Sequence, residues 1–199
     1  MPYDEILRSE LTNASLVIPP PIQTKLVRYC SELSRWNSKV NLTALAGAEL
    51  VRRLVVEPIW IGKSLGMKGR LLDVGSGNGS PAIPLAVSRD LSETYLVESR
   101  TRRAAFLRHL KVQMGLETVR VCKCRLSELG REVEPLEWIT LQGVALTDQI
   151  RLELRPFSKT TTNVVWITSG ELSRQLNPSR RLDVPFSNTQ VLVFSLDHS

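Results

Sequence analysis

This 199-residue chain has little of what several function classes depend on. It holds two histidines, His109 and His198, and three cysteines, Cys30, Cys122 and Cys124. An odd handful of thiols cannot build a closed disulfide framework, which fits a reducing cytoplasmic setting. Zinc ligation by Cys122 and Cys124 would need further ligands at matching spacing, and two scattered histidines do not supply them; no metal site is expected, and the thiols read as buried or neutral. No run approaches the ~18 consecutive apolar residues of a membrane span, and no basic-then-apolar leader precedes a cleavage site. Neither a Ser-His-Asp set nor a pair of catalytic carboxylates stands out, so acid–base and acyl-transfer chemistry have no visible carrier. The expectation is a cytoplasmic protein of one ordinary domain plus an extension.

Acidic charge is scarce in one place. The formal net charge is +6, and residues 100–125 hold Arg100, Arg102, Arg103, Arg108, Lys111, Arg120, Lys123 and Arg125 against the single acid Glu117. That local excess exceeds the net charge of the whole chain and points to an anionic partner.

Up to about residue 63 the apolar pattern is helical. Ile6, Leu7 and Leu11 form one short stripe; after the Pro19-Pro20-Pro21 break, Leu26, Tyr29, Cys30, Leu33 and Trp36 form a second at spacings of three and four. A loop is predicted over 37–43, then a third helix through Leu50, Leu54 and Ile61. From residue 70 onward, apolar runs of strand length recur at 71–74, 95–97, 119–122, 138–141, 164–168, 182–186 and 191–196, with a helix predicted over 101–114. Alternating strands and helices imply a parallel sheet covered on both faces. The last two runs are joined by Ser187-Asn188-Thr189, too short for a crossover, and predict an antiparallel hairpin at the sheet edge.

The stretch LLDVGSGNGSPAIPL, residues 71–85, places Gly75, Gly77 and Gly79 directly after the first strand, with Asp73 at that strand's end. Glycines between a strand and a helix let the backbone turn tightly and approach a ligand that meets the helix's free N–H groups. A dinucleotide fingerprint would need glycine where Ser80 stands, and Gly62-Lys63-Ser64 lacks the glycine-rich loop of a P-loop. The remaining pattern, acid-x-G-x-G-x-G, resembles the first motif of Rossmann-like methyltransferases that bind S-adenosylmethionine. Asp73 is then expected to serve the ligand's cationic amino group. Glu98, ending the second strand, can accept both ribose hydroxyls, as acids do in nicotinamide sites as well, so by itself it says only "nucleoside". An antiparallel seventh strand favours a methyltransferase over a dehydrogenase.

Three segments narrow the resemblance. DVGSGNGSPAIPLAV, LVESRTRRAAFLRHL and RWNSKVNLTAL resemble the bacterial small-subunit ribosomal RNA methyltransferase G family, also called GidB, over roughly three fifths of the chain. The resemblance implies a mostly parallel seven-stranded α/β sheet of Rossmann-like type. It also implies an N-terminal helical extension (1–66) packed on a cofactor-binding domain (67–199), S-adenosylmethionine as cofactor, and methylation of a guanine N7 in 16S ribosomal RNA. Its cofactor contacts map onto Gly75, Ser80, the backbone around Leu126 and Ser127, and Gln142. The partner it implies is ribosomal RNA or the small subunit, with no membrane and no stable protein partner. This chain departs from the family pattern at Ser80, Ala82, Arg53, Glu57-Pro58, Gln142 and Ser169. In particular, Gln142 lacks the fixed charge and donor fork of the arginine it replaces. A cofactor-binding relative with lost or altered activity, serving as an RNA-binding or regulatory module, is the alternative reading. Ring N7 carries a lone pair and no proton, so no catalytic acid or base is assigned. Arg102 and Arg103, in the first turn of a helix whose dipole disfavours cations there, are candidate RNA contacts, with Arg53 and Lys39 extending the track.

Overall fold

The computed structural model describes residues 2–130, 133–134, 136–169 and 177–195. The chain begins with helices α1 (Pro2–Asn13) and α2 (Pro20–Val40). A short α3 (Gly47–Val51) runs through a π-helical turn (Arg52–Val56) into α4 (Glu57–Ser64). Strands and helices then alternate: β1 (Lys68–Val74), α5 (Ala82–Ser88), β2 (Asp90–Val97), α6 (Thr101–Met114), β3 (Val119–Cys122), β4 (Leu136–Gln142), α7 (Asp148–Leu154) and β5 (Ser158–Ser169). The hairpin β6 (Arg180–Asp183) and β7 (Thr189–Ser195) follows.

The seven strands form one sheet in the order β3-β2-β1-β4-β5-β7-β6. The first five are parallel, and β7 runs antiparallel to both of its neighbours. This is the expected Rossmann-like methyltransferase sheet. Strand order reverses at β1, so the loops leaving β1 and β4 diverge and open a crevice at their carboxyl ends. Register levels those ends: Val74 faces Val97 on one side and Leu141 on the other, and Gln142 faces Ile167. Because β7 returns antiparallel, Ser169 pairs with Thr189, and the start of β7 joins the same rim.

Apolar residues cover both faces. One cluster unites Leu26, Tyr29 and Leu33 of α2 with Ile83 of α5 and Phe106, Leu107 and Leu110 of α6. The other places Leu72, Ile139, Leu141, Val164 and Leu192 of the sheet with Leu154 of α7. Within α6, Ala104, Phe106, Leu107, Leu110 and Met114 are buried, whereas Ala105 is exposed. Among the described residues no helix is long and apolar enough to cross a membrane.

Two local features depart from the sequence reading. The loop predicted over 37–43 begins later, because α2 continues to Val40 and ends on Asn41 in the left-handed conformation (φ 51°). Asn37 reads as a loop residue since its side chain competes for backbone groups. Here it stays helical and ties down the chain beyond: its Oδ1 accepts the N–H groups of Leu42 (2.7 Å) and Thr43 (2.9 Å), and its Nδ2 donates to the Thr43 carbonyl (2.8 Å). Second, the helix expected through Leu50, Leu54 and Ile61 is continuous but carries the π turn within it, a feature frequent at functional sites.

Candidate active site

At the carboxyl ends of β1, β2 and β4 lies a cavity of about 450 Å³. The glycine loop forms its floor, with Gly75, Ser76, Gly77, Asn78 and Ser80 on the wall. Gly75 and Gly77 have positive φ (72° and 44°), and a side chain on Gly75 would stand 2.7 Å from Val144 Cγ2. Bare backbone is therefore a requirement of the cleft at both positions. Gly79 also has positive φ but faces inward, where a Cβ would meet Ile83, Leu107 and Tyr29. The loop thus divides its glycines: two open the cleft and the third packs the loop against α2, α5 and α6.

Glu98 fixes the cleft's far side. It is 4% exposed and lines the cavity. Its Oε2 accepts the Gly77 N–H (3.0 Å) and its Oε1 the Arg100 N–H (2.7 Å), so one carboxylate ties the loop after β1 to the loop after β2. The helix start that follows has no side-chain cap, and Arg100 occupies the cap position. Arg103 turns toward the cleft and donates from Nη2 to the Asn41 carbonyl (3.3 Å), joining α6 to the loop after α2.

Asp73 sits beneath the loop and is absent from the cavity wall. It is 1% exposed; its Oδ1 accepts the Thr140 hydroxyl (2.7 Å) and its Oδ2 has no partner. Burial pushes its carboxyl up to about 7, against the pull of Thr140 and Ser76. Leu126 points into the second apolar cluster and Ser127 is exposed in a short 3-10 turn; neither lines the cavity. Ser80 and Gln142 do line it, and they bond to each other, Ser80 Oγ donating to Gln142 Oε1 (3.2 Å). Arg102 is exposed, as is Lys39, which borders a small groove with Arg35 and Trp36.

A second cavity of about 390 Å³ shares Gln142, Gly143 and Val144 with the first and continues toward β5 and β7. Arg53 reaches it from the π turn. The sequence reading placed Arg53 on a phosphate track and did not single out Thr43, Leu45, Leu54, Asn78 or Val144 as cleft residues. The available signal for the first of these was the stretch after Trp36, whose polar residues interrupt an otherwise helical pattern. None of the cysteines is in a disulfide, and no cluster of metal-ligating side chains occurs among the described residues. Burial pushes the Cys30 thiol up to about 12 and raises that of Cys124, so both are neutral.

The sheet order and the glycine loop define a Rossmann-like methyltransferase fold. An RNA methyltransferase from Salinibacter ruber, solved with S-adenosyl-L-homocysteine, shares it with a TM-score of 0.55 at 18% identity, over 72% of this chain and 92% of that one. The model of the family GidB, rRNA small subunit methyltransferase G, matches residues 22–192. The chain belongs to that family. It is 36% identical over 126 residues to a ribosomal RNA small subunit methyltransferase G from Roseiflexus sp. (strain RS-1), covering 61% of this chain and 54% of that protein. A namesake from Helicobacter hepaticus is 29% identical over 160 residues, 80% of this chain and 86% of its own. The chain spans about half the length of the first of these relatives.

Proposed function

We propose that the chain is an S-adenosylmethionine-dependent methyltransferase that modifies ring N7 of a guanine in 16S ribosomal RNA. The observation that carries this reading is Glu98, a buried carboxylate that faces a nucleoside-sized cleft while holding the glycine loop open beside it. The residues fit the cofactor: Glu98 is positioned for the ribose hydroxyls, the bare backbone of Gly75 and Gly77 for close approach, and Ser80 and Gln142 for polar groups at the cleft's other end. When bound, S-adenosylmethionine supplies a methyl group on a positively charged sulfur, open to in-line displacement. The acceptor nitrogen has no proton to lose, so the chain's residues need not move one. Their work is to align the two reactants and exclude water, effects that can supply most of the barrier reduction. In this reading the protein works in the cytoplasm on ribosomal RNA or the small subunit, with no membrane and no stable protein partner. Residues 1–66 serve as a helical extension of the cofactor domain 67–199, and the exposed Arg102 and Lys39 contact phosphates.

The Ser80–Gln142 bond favours a second reading, a cofactor-binding relative without transfer, because it ties up Gln142, which stands where the family pattern has an arginine. Calorimetric titration with S-adenosylhomocysteine and NAD, followed by methyl incorporation into RNA from cells lacking the gene, separates the possibilities. Binding of the first ligand alone, with incorporation, supports transfer; binding without incorporation supports the second reading; binding of NAD overturns both.

A further inference from the structure

The 390 Å³ cavity adjoins the cofactor cleft through Gln142, Gly143 and Val144, yet its far wall has a different character. Val144, Trp166 and Ile167 make it partly apolar, and Arg53 is the cation on its wall. That guanidinium is held from behind. Its Nε lies 3.5 Å from Glu57 Oε1, and its Nη1 donates to Asn188 Oδ1 (3.2 Å). Glu57 is 1% exposed and accepts the Thr189 hydroxyl at 2.7 Å, while its other oxygen has no hydrogen-bond partner. The π turn presents Arg53, the start of α4 presents Glu57, and the β6–β7 hairpin supplies Asn188 and Thr189. Three separate elements thus orient one planar donor group toward one cavity.

The charge balance decides what such a group recognises. A phosphate site gathers several cations or backbone N–H groups around an anion. Among the described residues lining the cavity the one cation is offset by a buried carboxylate at its back, so the pair offers directed N–H donors with little net charge. An aromatic and aliphatic wall with a fixed guanidinium edge suits a flat heterocycle bearing a carbonyl oxygen. A base occupying this cavity would also meet Gln142, which both cavities share.

We propose that this cavity receives the base to be methylated and that Arg53 selects a 6-oxopurine by donating to its O6, with Glu57 as the positioning residue that aims Arg53. The proposal rests on the methyltransferase reading for the word "methylated" and on the cavity alone for the base preference. Adenine offers an amino donor where guanine and hypoxanthine offer O6, so a donor fixed at that point rejects it.

The test uses the full chain with S-adenosylhomocysteine present, and measures binding of 5′-GMP, 5′-IMP and 5′-AMP by ligand-observed NMR titration. The three probes share ribose and phosphate, which isolates the base edge. The parent protein is expected to prefer 5′-GMP and 5′-IMP over 5′-AMP by roughly tenfold. Arg53→Ala should bring the ratio to about one, and Glu57→Gln, which keeps an acceptor for Thr189, should lower it several-fold while S-adenosylhomocysteine affinity stays within about threefold. Arg53→Lys retains charge without the planar fork and should also lose most of the preference. Equal binding of the three probes by the parent, or an undiminished preference in Arg53→Ala, overturns the proposal. A parent that shows the Arg53-dependent preference yet transfers no methyl to RNA overturns the methyltransferase reading and leaves the base preference standing. Full methylation of RNA by Arg53→Ala does the reverse.

Discussion

Replacing Glu98 by alanine removes one side chain with two separable duties. Its oxygens hold the Gly77 and Arg100 N–H groups at 3.0 and 2.7 Å, and the same carboxylate faces the cleft. Hydrogen bonds to a charged group contribute ~1.5–3 kcal/mol, and a buried donor left without its partner costs about 1–3 kcal/mol. The loop tethers are made whether or not cofactor is present, so their loss falls mainly on stability; a domain of this size should melt roughly 3–10 °C lower. The ribose contacts are made only with ligand bound, so their loss falls on affinity, weakening S-adenosylhomocysteine binding by roughly ten- to a hundredfold. Calorimetric titration gives the second quantity and a thermal melt followed by circular dichroism the first. A Kd within twofold of the parent, together with a lowered melting temperature, would reduce Glu98 to a loop tether and refute its role as the ribose-binding acid.

Gln142→Arg exchanges the Ser80 hydrogen bond for a fixed guanidinium on the shared wall of both cavities, and should tighten S-adenosylhomocysteine binding by roughly fivefold, the balance of a charged bond gained and a neutral one lost; unchanged or weaker binding by calorimetry counts against it. Arg102 and Arg103 should separate, since one is exposed and the other lines the cofactor cleft. Arg102→Ala should weaken RNA binding and lower its salt slope by about one with cofactor affinity intact, whereas Arg103→Ala should weaken cofactor binding, and identical behaviour of the two in these titrations would contradict the geometry. Asp73 is buried with its carboxyl raised to about 7. Because the folded value lies above the unfolded one, its contribution is fully present below the ordinary carboxylate range and is lost as pH rises through about 7. Urea unfolding should therefore show the parent losing up to roughly 4 kcal/mol more than Asp73→Asn between pH 4 and 8, and parallel pH profiles would show that the buried acid does not titrate in that window.

The sheet was legible because strands of a doubly covered sheet are continuous apolar runs, and each predicted run overlaps an observed strand; the sixth fits least, since β6 spans Arg180–Asp183 against the expected 182–186. The short link correctly indicated a hairpin, since no crossover fits in it, although it runs over the five residues 184–188 rather than the three expected. Helix α6 was legible over its full length from apolar spacing. The direction in which long side chains turn was not. Arg102 and Arg103 are adjacent in sequence, yet Arg102 is exposed while Arg103 lines the cleft and donates to the carbonyl of Asn41, on another element. Gly79 carries the same motif position as its neighbours yet serves packing, which depends on Ile83, Leu107 and Tyr29 arriving from three helices. Glu57 stood out only as a departure from the family pattern, yet its burial was readable, an acid between Leu54-Val55-Val56 and Pro58-Ile59, where a solvated side chain does not belong.

The central claim is methyl transfer to a guanine ring nitrogen. Purified protein is incubated with S-adenosylmethionine and small ribosomal subunits, or their extracted RNA, from cells lacking the gene, and the RNA is then cleaved chemically at 7-methylguanosine and mapped by primer extension. The account predicts one new cleavage site in 16S ribosomal RNA, dependent on the cofactor and strongly reduced in Glu98→Ala. Tight binding of S-adenosylmethionine with no 7-methylguanosine in either substrate would contradict it.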